Sequence, residues 1–303
     1  MKKIIALLIF TIVSFSGFSQ EDEPEQEISN IQEYTPSKLL KKGQWDIKFF
    51  NSLYTQTKRT DAGSSSVDIP RESFFTNTTE IFTGISKNSR INIGLIIQVR
   101  SNVFGGADAL DVFKFEDNAF ARSGLTTIAP SIRVQPFKSF ANFSLTSSVY
   151  LPIFKDKAAA PYLDKRSVFW ETKFFYDKTF GGDKWQLFTE VDLGFNFGEK
   201  SSDANPIDSN VTERFANNSL FLPFSAFLSY FPSSKSTVFV NGKQSFLIDL
   251  GNDFAQNSTS FGLGGKYQLS KILNLEVSFD QFVRGDNFQG LGQTYSLGLR
   301  AIF

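Results

Sequence analysis

The chain has no cysteine and no histidine, and beyond its first twenty residues it has no apolar run long enough to cross a membrane as a helix. Without cysteine no disulfide can form, and without either residue type no zinc centre of the His or Cys kind can be built. A histidine-based catalytic triad is excluded on the same ground. An excess of charge of either sign is missing too. Lys+Arg and Asp+Glu are both 31 in 303 residues, so no basic excess marks a nucleic-acid partner. Phenylalanine, by contrast, is abundant at 36 residues, and 41% of the chain is hydrophobic. The mean hydropathy is nevertheless −0.15. Apolar residues in that quantity, with no solid runs, must be spread along alternating strands.

Met1 to Gln20 reads as a secretory signal peptide: Lys2 and Lys3 precede the apolar stretch Ile4 to Val13, and Ser14 to Gln20 forms a small, polar cleavage end. A transmembrane helix would need roughly twenty apolar residues, more than this stretch supplies. Cleavage is expected after Gln20. Residues 21–43 then form an acidic periplasmic tail, with six acids between Glu21 and Glu33 and no Lys or Arg among them. Thr35-Pro36, then Ser37 to Lys42 and Gly43, has the cap, proline and terminal glycine of a short helix of about two turns. A solvated linker fits the same residues.

From Gln44 the chain becomes a series of alternating runs. In one, Trp185, Leu187, Thr189, Val191, Leu193, Phe195 and Phe197 share a face, against Gln186, Phe188, Glu190, Asp192, Gly194 and Asn196. About twelve such runs are expected: 44–56, 72–85, 89–101, 125–137, 141–153, 167–179, 184–197, 219–231, 236–249, 258–269, 272–283 and 291–303. They are longer than the five or six residues of a soluble sandwich strand and meet the roughly nine to eleven of a tilted membrane strand. Tight turns such as Lys87-Asn88 and Gly181-Gly182-Asp183 alternate with the longer connections 57–71, 102–124, 154–166, 198–218, 250–257 and 284–290. The expected fold is all-β, a closed antiparallel transmembrane β-barrel of about twelve strands spanning 44–303. Its short turns would be periplasmic and its long loops extracellular. The last strand alternates to the terminal Phe303, which resembles the signal that outer-membrane barrels present to the barrel-assembly machinery. Trp45, Trp185, Phe231 and Phe303 fall near periplasmic strand ends, and Tyr54, Trp170 and Phe197 near extracellular ends, as aromatic girdles would.

In lipid the outer face must be apolar, so the polar member of each alternation points into the lumen. The lumen-lining candidates are Lys48, Glu80, Arg90, Arg100, Arg133, Glu171, Asp177, Glu190, Asp192, Lys243, Lys266, Glu276, Asp280 and Arg300, with Asp46 and Lys173 on the same rows. Arg90, Arg100 and Arg133 suggest a basic arc on the third and fourth strands, facing an acidic arc of Glu171, Asp177, Glu190 and Asp192. Such arcs would set a transverse field across a pore. The alternative is mutual neutralisation in a salt-bridge network that packs a narrow barrel shut. Phe50, Phe82, Phe169, Phe175, Phe221, Phe227, Phe239 and Phe282 fall on the inward rows as well, suiting a packed interior or a greasy path.

The 102–124 connection carries Val103, Phe104, Leu110, Val112, Phe113, Phe115 and Phe120, too apolar for a solvated loop. It is expected to fold inward as a constriction or lid, or to pack on the inner rim. Asp108, Asp111, Glu116 and Asp117 lack EF-hand spacing, so no metal site is assigned, and no cofactor is expected. Catalysis is not expected either: outer-membrane phospholipases, palmitoyltransferases, deacylases and omptins use a histidine, and no G-x-S-x-G or S-x-x-K pattern is present.

The Lys-Lys start, the signal ending Phe18-Ser19-Gln20, the Phe- and Asn-rich strands and the terminal Phe303 resemble Bacteroidota outer-membrane barrels. The stretch from Tyr34 to Phe49 and the overall size resemble small barrels of the phenol-degradation MetA transporter type. That resemblance implies passive uptake of small solutes, hydrophobic or aromatic ones among them, and transfers no site residues. The expectation is a passive porin or channel for small solutes, partnered by outer-membrane lipid and lipopolysaccharide. The alternative is a non-conducting structural or secretion-associated barrel that binds protein partners through its loops or tail.

Overall fold

A computed structural model describes residues 37–154, 161–164, 167–198, 218–251 and 254–303. Twelve strands run in order: β1 (Trp45–Thr60), β2 (Ser66–Gly84), β3 (Ile91–Val103), β4 (Ala121–Val134), β5 (Phe143–Pro152), β6 (Val168–Phe180), β7 (Trp185–Phe197), β8 (Ser219–Ser233), β9 (Ser236–Asp249), β10 (Gln256–Gln268), β11 (Leu273–Gly285) and β12 (Gln293–Ile302). Each pairs antiparallel with its sequence neighbours, and β1 pairs with β12 from Asp46↔Ile302 to Thr55↔Gln293, so the sheet closes. Trp45 and Phe303 exchange backbone hydrogen bonds of 2.7 and 3.0 Å at the seam. Among the described residues no edge strand is left to pair with another chain.

The alternation that makes these segments strands also turns the molecule inside out. The fully buried side chains include Asn92, Asn196, Asp46 and Ser144, whereas Leu263 and Val240 are 59% and 56% exposed. Leu95, Val191, Val238, Phe261, Val277 and Leu297 are exposed in the same way on the outer rows. An uncovered apolar wall of this extent calls for lipid rather than water as its surroundings. Trp45, Trp185, Phe303, Trp170 and Phe197 lie exposed near the two ends of the wall.

Several details differ from the sequence reading. The first long connection shrinks to residues 61–65, because β1 and β2 stay paired as far as Thr60↔Ser66 beyond a bulge at Gln56/Lys58. β4 begins at Ala121 rather than 125: the Asn118 side chain accepts hydrogen bonds from the Phe120 and Ala121 amides and starts the strand. Tyr54 and Phe231 do not join the outer girdles. Tyr54 shares the inward row of Lys48 and Phe50, donates to Gln56 Oε1 at 2.6 Å and accepts from the Gly292 amide. Phe231 is 6% exposed and lines the interior.

The 102–124 connection does not fold inward. Its 3-10 helix, Ala109–Lys114, packs on the outside of β2 and β3, with Val112 buried against Phe75, Val103 and Ala121 of the outer rows. The helix expected over 35–43 is absent from its described part, because residues 37–43 are extended and turn-like. The signal peptide, the acidic stretch up to residue 36 and most of the 198–218 connection lie outside the described residues.

Candidate channel lumen

The inward rows enclose a cavity of about 330 Å³ in the short-turn half of the barrel. Its wall has two chemical components. The first is aromatic: Phe175, Phe188, Phe227 and Phe239, on four successive strands, form a ladder with ring centroids 5.9, 5.6 and 5.8 Å apart. Phe50, Phe82 and Phe231 complete it. The second component is ionic.

Rings on an inward row could cross the bore and close it. Here, at four of the inward rings, a glycine on the neighbouring strand leaves the ring against bare backbone. A Cβ at Gly94 would fall 2.5 Å from Phe82, at Gly264 2.4 Å from Phe239, at Gly298 2.7 Å from Phe50 and at Gly194 2.5 Å from Phe169. The register explains three of the four, since Phe82↔Gly94, Phe239↔Gly264 and Phe50↔Gly298 are direct cross-strand partners. At these four positions the ring lies along the wall rather than across the bore.

The charges form local clusters. Asp46, fully buried, holds Arg300 through two hydrogen bonds of 2.8 Å. Arg133 lies 3.9 Å from Asp46 and 3.8 Å from Glu80, over the Phe82 ring at 4.2 Å, and Lys48 pairs with Glu80 at 3.0 Å. Across the barrel, Lys173 sits 2.9 Å from Glu190, 3.0 Å from Asp192 and 3.8 Å from Glu171, whose carboxylate also accepts from the Tyr150 hydroxyl. Lys266–Glu276 and Lys243–Asp280 are simple pairs at 2.8 and 2.9 Å. The first cluster sets three cations against two anions, and the second sets one cation against three anions. β1 and β12 lie opposite β6 and β7 around the ring, so the formal charges left over on the two sides are of opposite sign.

Of the three arginines that the sequence placed in a basic arc, only Arg133 belongs to the first cluster. Arg90 and Arg100 are ten residues apart along one strand direction, about 33 Å at 3.3 Å per residue, and so cannot form an arc at one depth. Arg100 belongs to the long-loop half, 3.0 Å from Asp164, where a second cavity of about 300 Å³ is lined by Tyr150, Phe169 and Glu171. Arg90 precedes β3, its amide hydrogen-bonded to Ser86 in the turn. Asp177 is apart from the other acids and accepts from Gln186. Sequence reasoning missed Tyr150, Asp164 and Phe188, although Phe188 stands in the polar row of β7, where its direction was legible.

The short-turn mouth is narrowed by the segment before β1. Leu40 is 1% exposed and packs among the inward residues Phe82, Ile96, Ala129 and Ile302. The Asn92 side chain clasps its backbone, accepting from the Leu40 amide at 3.0 Å and donating to its carbonyl at 3.1 Å. A β-bridge between Lys42 and Gly84 holds the following turn. Leu39 and Leu40 are thus seated in the barrel end, while Lys38 and Lys41 to Gly43 stay exposed.

Closed barrels of similar fold are known among solved structures. The COG4313 outer membrane channel from Pseudomonas putida F1 is similar to this chain at a TM-score of 0.63 and 12% identity, over 93% of this chain and 100% of that one. The β domain of the Bordetella autotransporter Brka is similar at a TM-score of 0.55 and 12% identity, over 86% and 99% of the two chains. The likeness is one of fold. No family model and no curated protein sequence matches the chain.

Proposed function

We propose that the protein is a passive outer-membrane channel for small solutes with an apolar or aromatic body and a polar end. The observation that carries this reading is the cavity wall, where a four-ring ladder on β6–β9 faces ion-paired side chains on β1, β2, β4 and β12. A solute's ring would slide along aromatic surface while its polar end exchanges water for fixed dipoles and charges. Because most lumen charges have partners, strong ion selectivity is not expected, only a bias from the charges left over on the two sides. The MetA-type resemblance of Tyr34–Phe49 points toward the same solutes. Export by the signal peptide and assembly through the strand ending at Phe303 belong to this reading.

Single-channel recording of the refolded barrel, with flux of aromatic and aliphatic acids into liposomes, tests it. Conductance steps and faster entry of the aromatic member of a size-matched pair are expected. A folded barrel that stays silent, even with residues 21–43 removed, would refute the channel and leave a structural or partner-binding barrel.

A further inference from the structure

The β3–β4 connection is built as a strap on the outside of the barrel. Val112, with no exposed surface, is wedged against Phe75, Val103 and Ala121. The Ser101 hydroxyl donates to the Val112 carbonyl at 2.6 Å, and the Gly106 amide donates to the Arg71 carbonyl at 3.1 Å. The Phe75 ring meets Phe113 at 5.1 Å and Phe115 at 6.0 Å, both edge-on. Thus both the backbone and one apolar side chain are tied to the wall, and the placement does not depend on a loose loop.

What this fixed strap leaves uncovered is apolar. Leu110 is 66% exposed, and Phe113 and Phe115 are 46% and 47% exposed. Its charges are largely occupied, Asp111 with Lys114 at 2.8 Å and Asp117 with Arg122 at 3.4 Å, while Glu116 accepts from Asn118. Height decides what meets the apolar side chains. Phe75 pairs with Leu53, eight residues up β1 from Trp45. At about 3.4 Å per residue and a tilt of about 40°, that is about 20 Å, close to the upper edge of an apolar band about 25 Å tall. The strap is therefore continuous with the lipid-facing wall at its long-loop rim.

We propose that Leu110, Phe113 and Phe115 insert into the acyl chains at the outer-leaflet boundary, so that the strap is an interfacial lipid anchor rather than a gate. Short apolar and aromatic segments are stable at that boundary because rings and chains leave water there while the backbone stays near headgroups. The inference rests on the membrane-spanning reading of the barrel and not on conduction.

The absence of native cysteine makes the test direct. Leu110→Cys, Phe113→Cys, a wall control Leu263→Cys and a loop control Ser64→Cys are each labelled with an environment-sensitive dye in the full chain and placed in liposomes. Heat-modifiable migration checks folding of each. Quenching of the Leu110 and Phe113 labels by lipid-borne nitroxide, comparable to the Leu263 label and well above the Ser64 label, is expected. Quenching chiefly by aqueous iodide would overturn the anchor while the Leu263 control stood. Protection from both quenchers with disulfide-linked dimers before labelling would assign the strap to a second copy instead. Failure at Leu263 as well would sink the membrane reading itself.

Discussion

Replacing Asn92 by alanine removes both hydrogen bonds that hold Leu40 in the short-turn mouth. Each is worth about 0.5–1.5 kcal/mol net, so the seated segment loses about 1–3 kcal/mol. At about 1.4 kcal/mol per tenfold, its release becomes roughly 5- to 150-fold more frequent. The effect should fall in the upper part of that range, because Asn92 has no exposed surface and the Leu40 backbone groups would stay buried without partners. Two assays read it. In a Leu40→Cys background, thiol labelling from solution should accelerate by that factor once Asn92→Ala is added. In planar bilayers, Asn92→Ala should raise the fraction of time at the highest conductance level. Equal labelling rates and an unchanged level distribution would refute both the clasp and its role in narrowing the mouth.

Lys173→Met leaves Glu171, Glu190 and Asp192 without their shared cation. The reversal potential in a salt gradient should move toward cation selectivity. Because Lys173 is only partly buried, the loss of folding stability should be about 2–4 kcal/mol, read as a lower unfolding temperature on heat-modifiable gels. A reversal potential that does not move would contradict the argument from leftover charge. Gly264→Val should push the Phe239 ring off the wall, lowering conductance and costing about 1–3 kcal/mol from overpacking. Restored conductance in Gly264→Val/Phe239→Ala would identify the ring as the obstruction, and no rescue would refute that account.

Strand number, closure and the inward direction of rows such as Asp46–Lys48–Phe50 were legible in the sequence, because a period of two allows only two faces and one of them is apolar. The ends of strands were less legible. Tyr54 and Phe231 suit either an outer girdle or an inner wall, and only the register places them inside. Depth was legible only in part. Alternation assigns a side chain to a face but not to a height; the ten residues between Arg90 and Arg100 already set those two apart, whereas the height of Arg133 against them follows from the register. Leu40 lies in a segment with no periodicity, and the strap depends on contacts between Val112 and residues on two strands. Neither leaves a pattern along the chain.

The pairing of inward phenylalanines with glycines on the next strand separates two properties that pores usually couple. Where a ring lies against a glycine, the free radius follows the barrel's own geometry, and the affinity of the surface follows the choice of ring. Exchanging a phenylalanine for leucine or tyrosine at such a position would alter how long a solute dwells while leaving almost unchanged the largest molecule that fits. A lineage of such barrels could thus change diet without changing sieve.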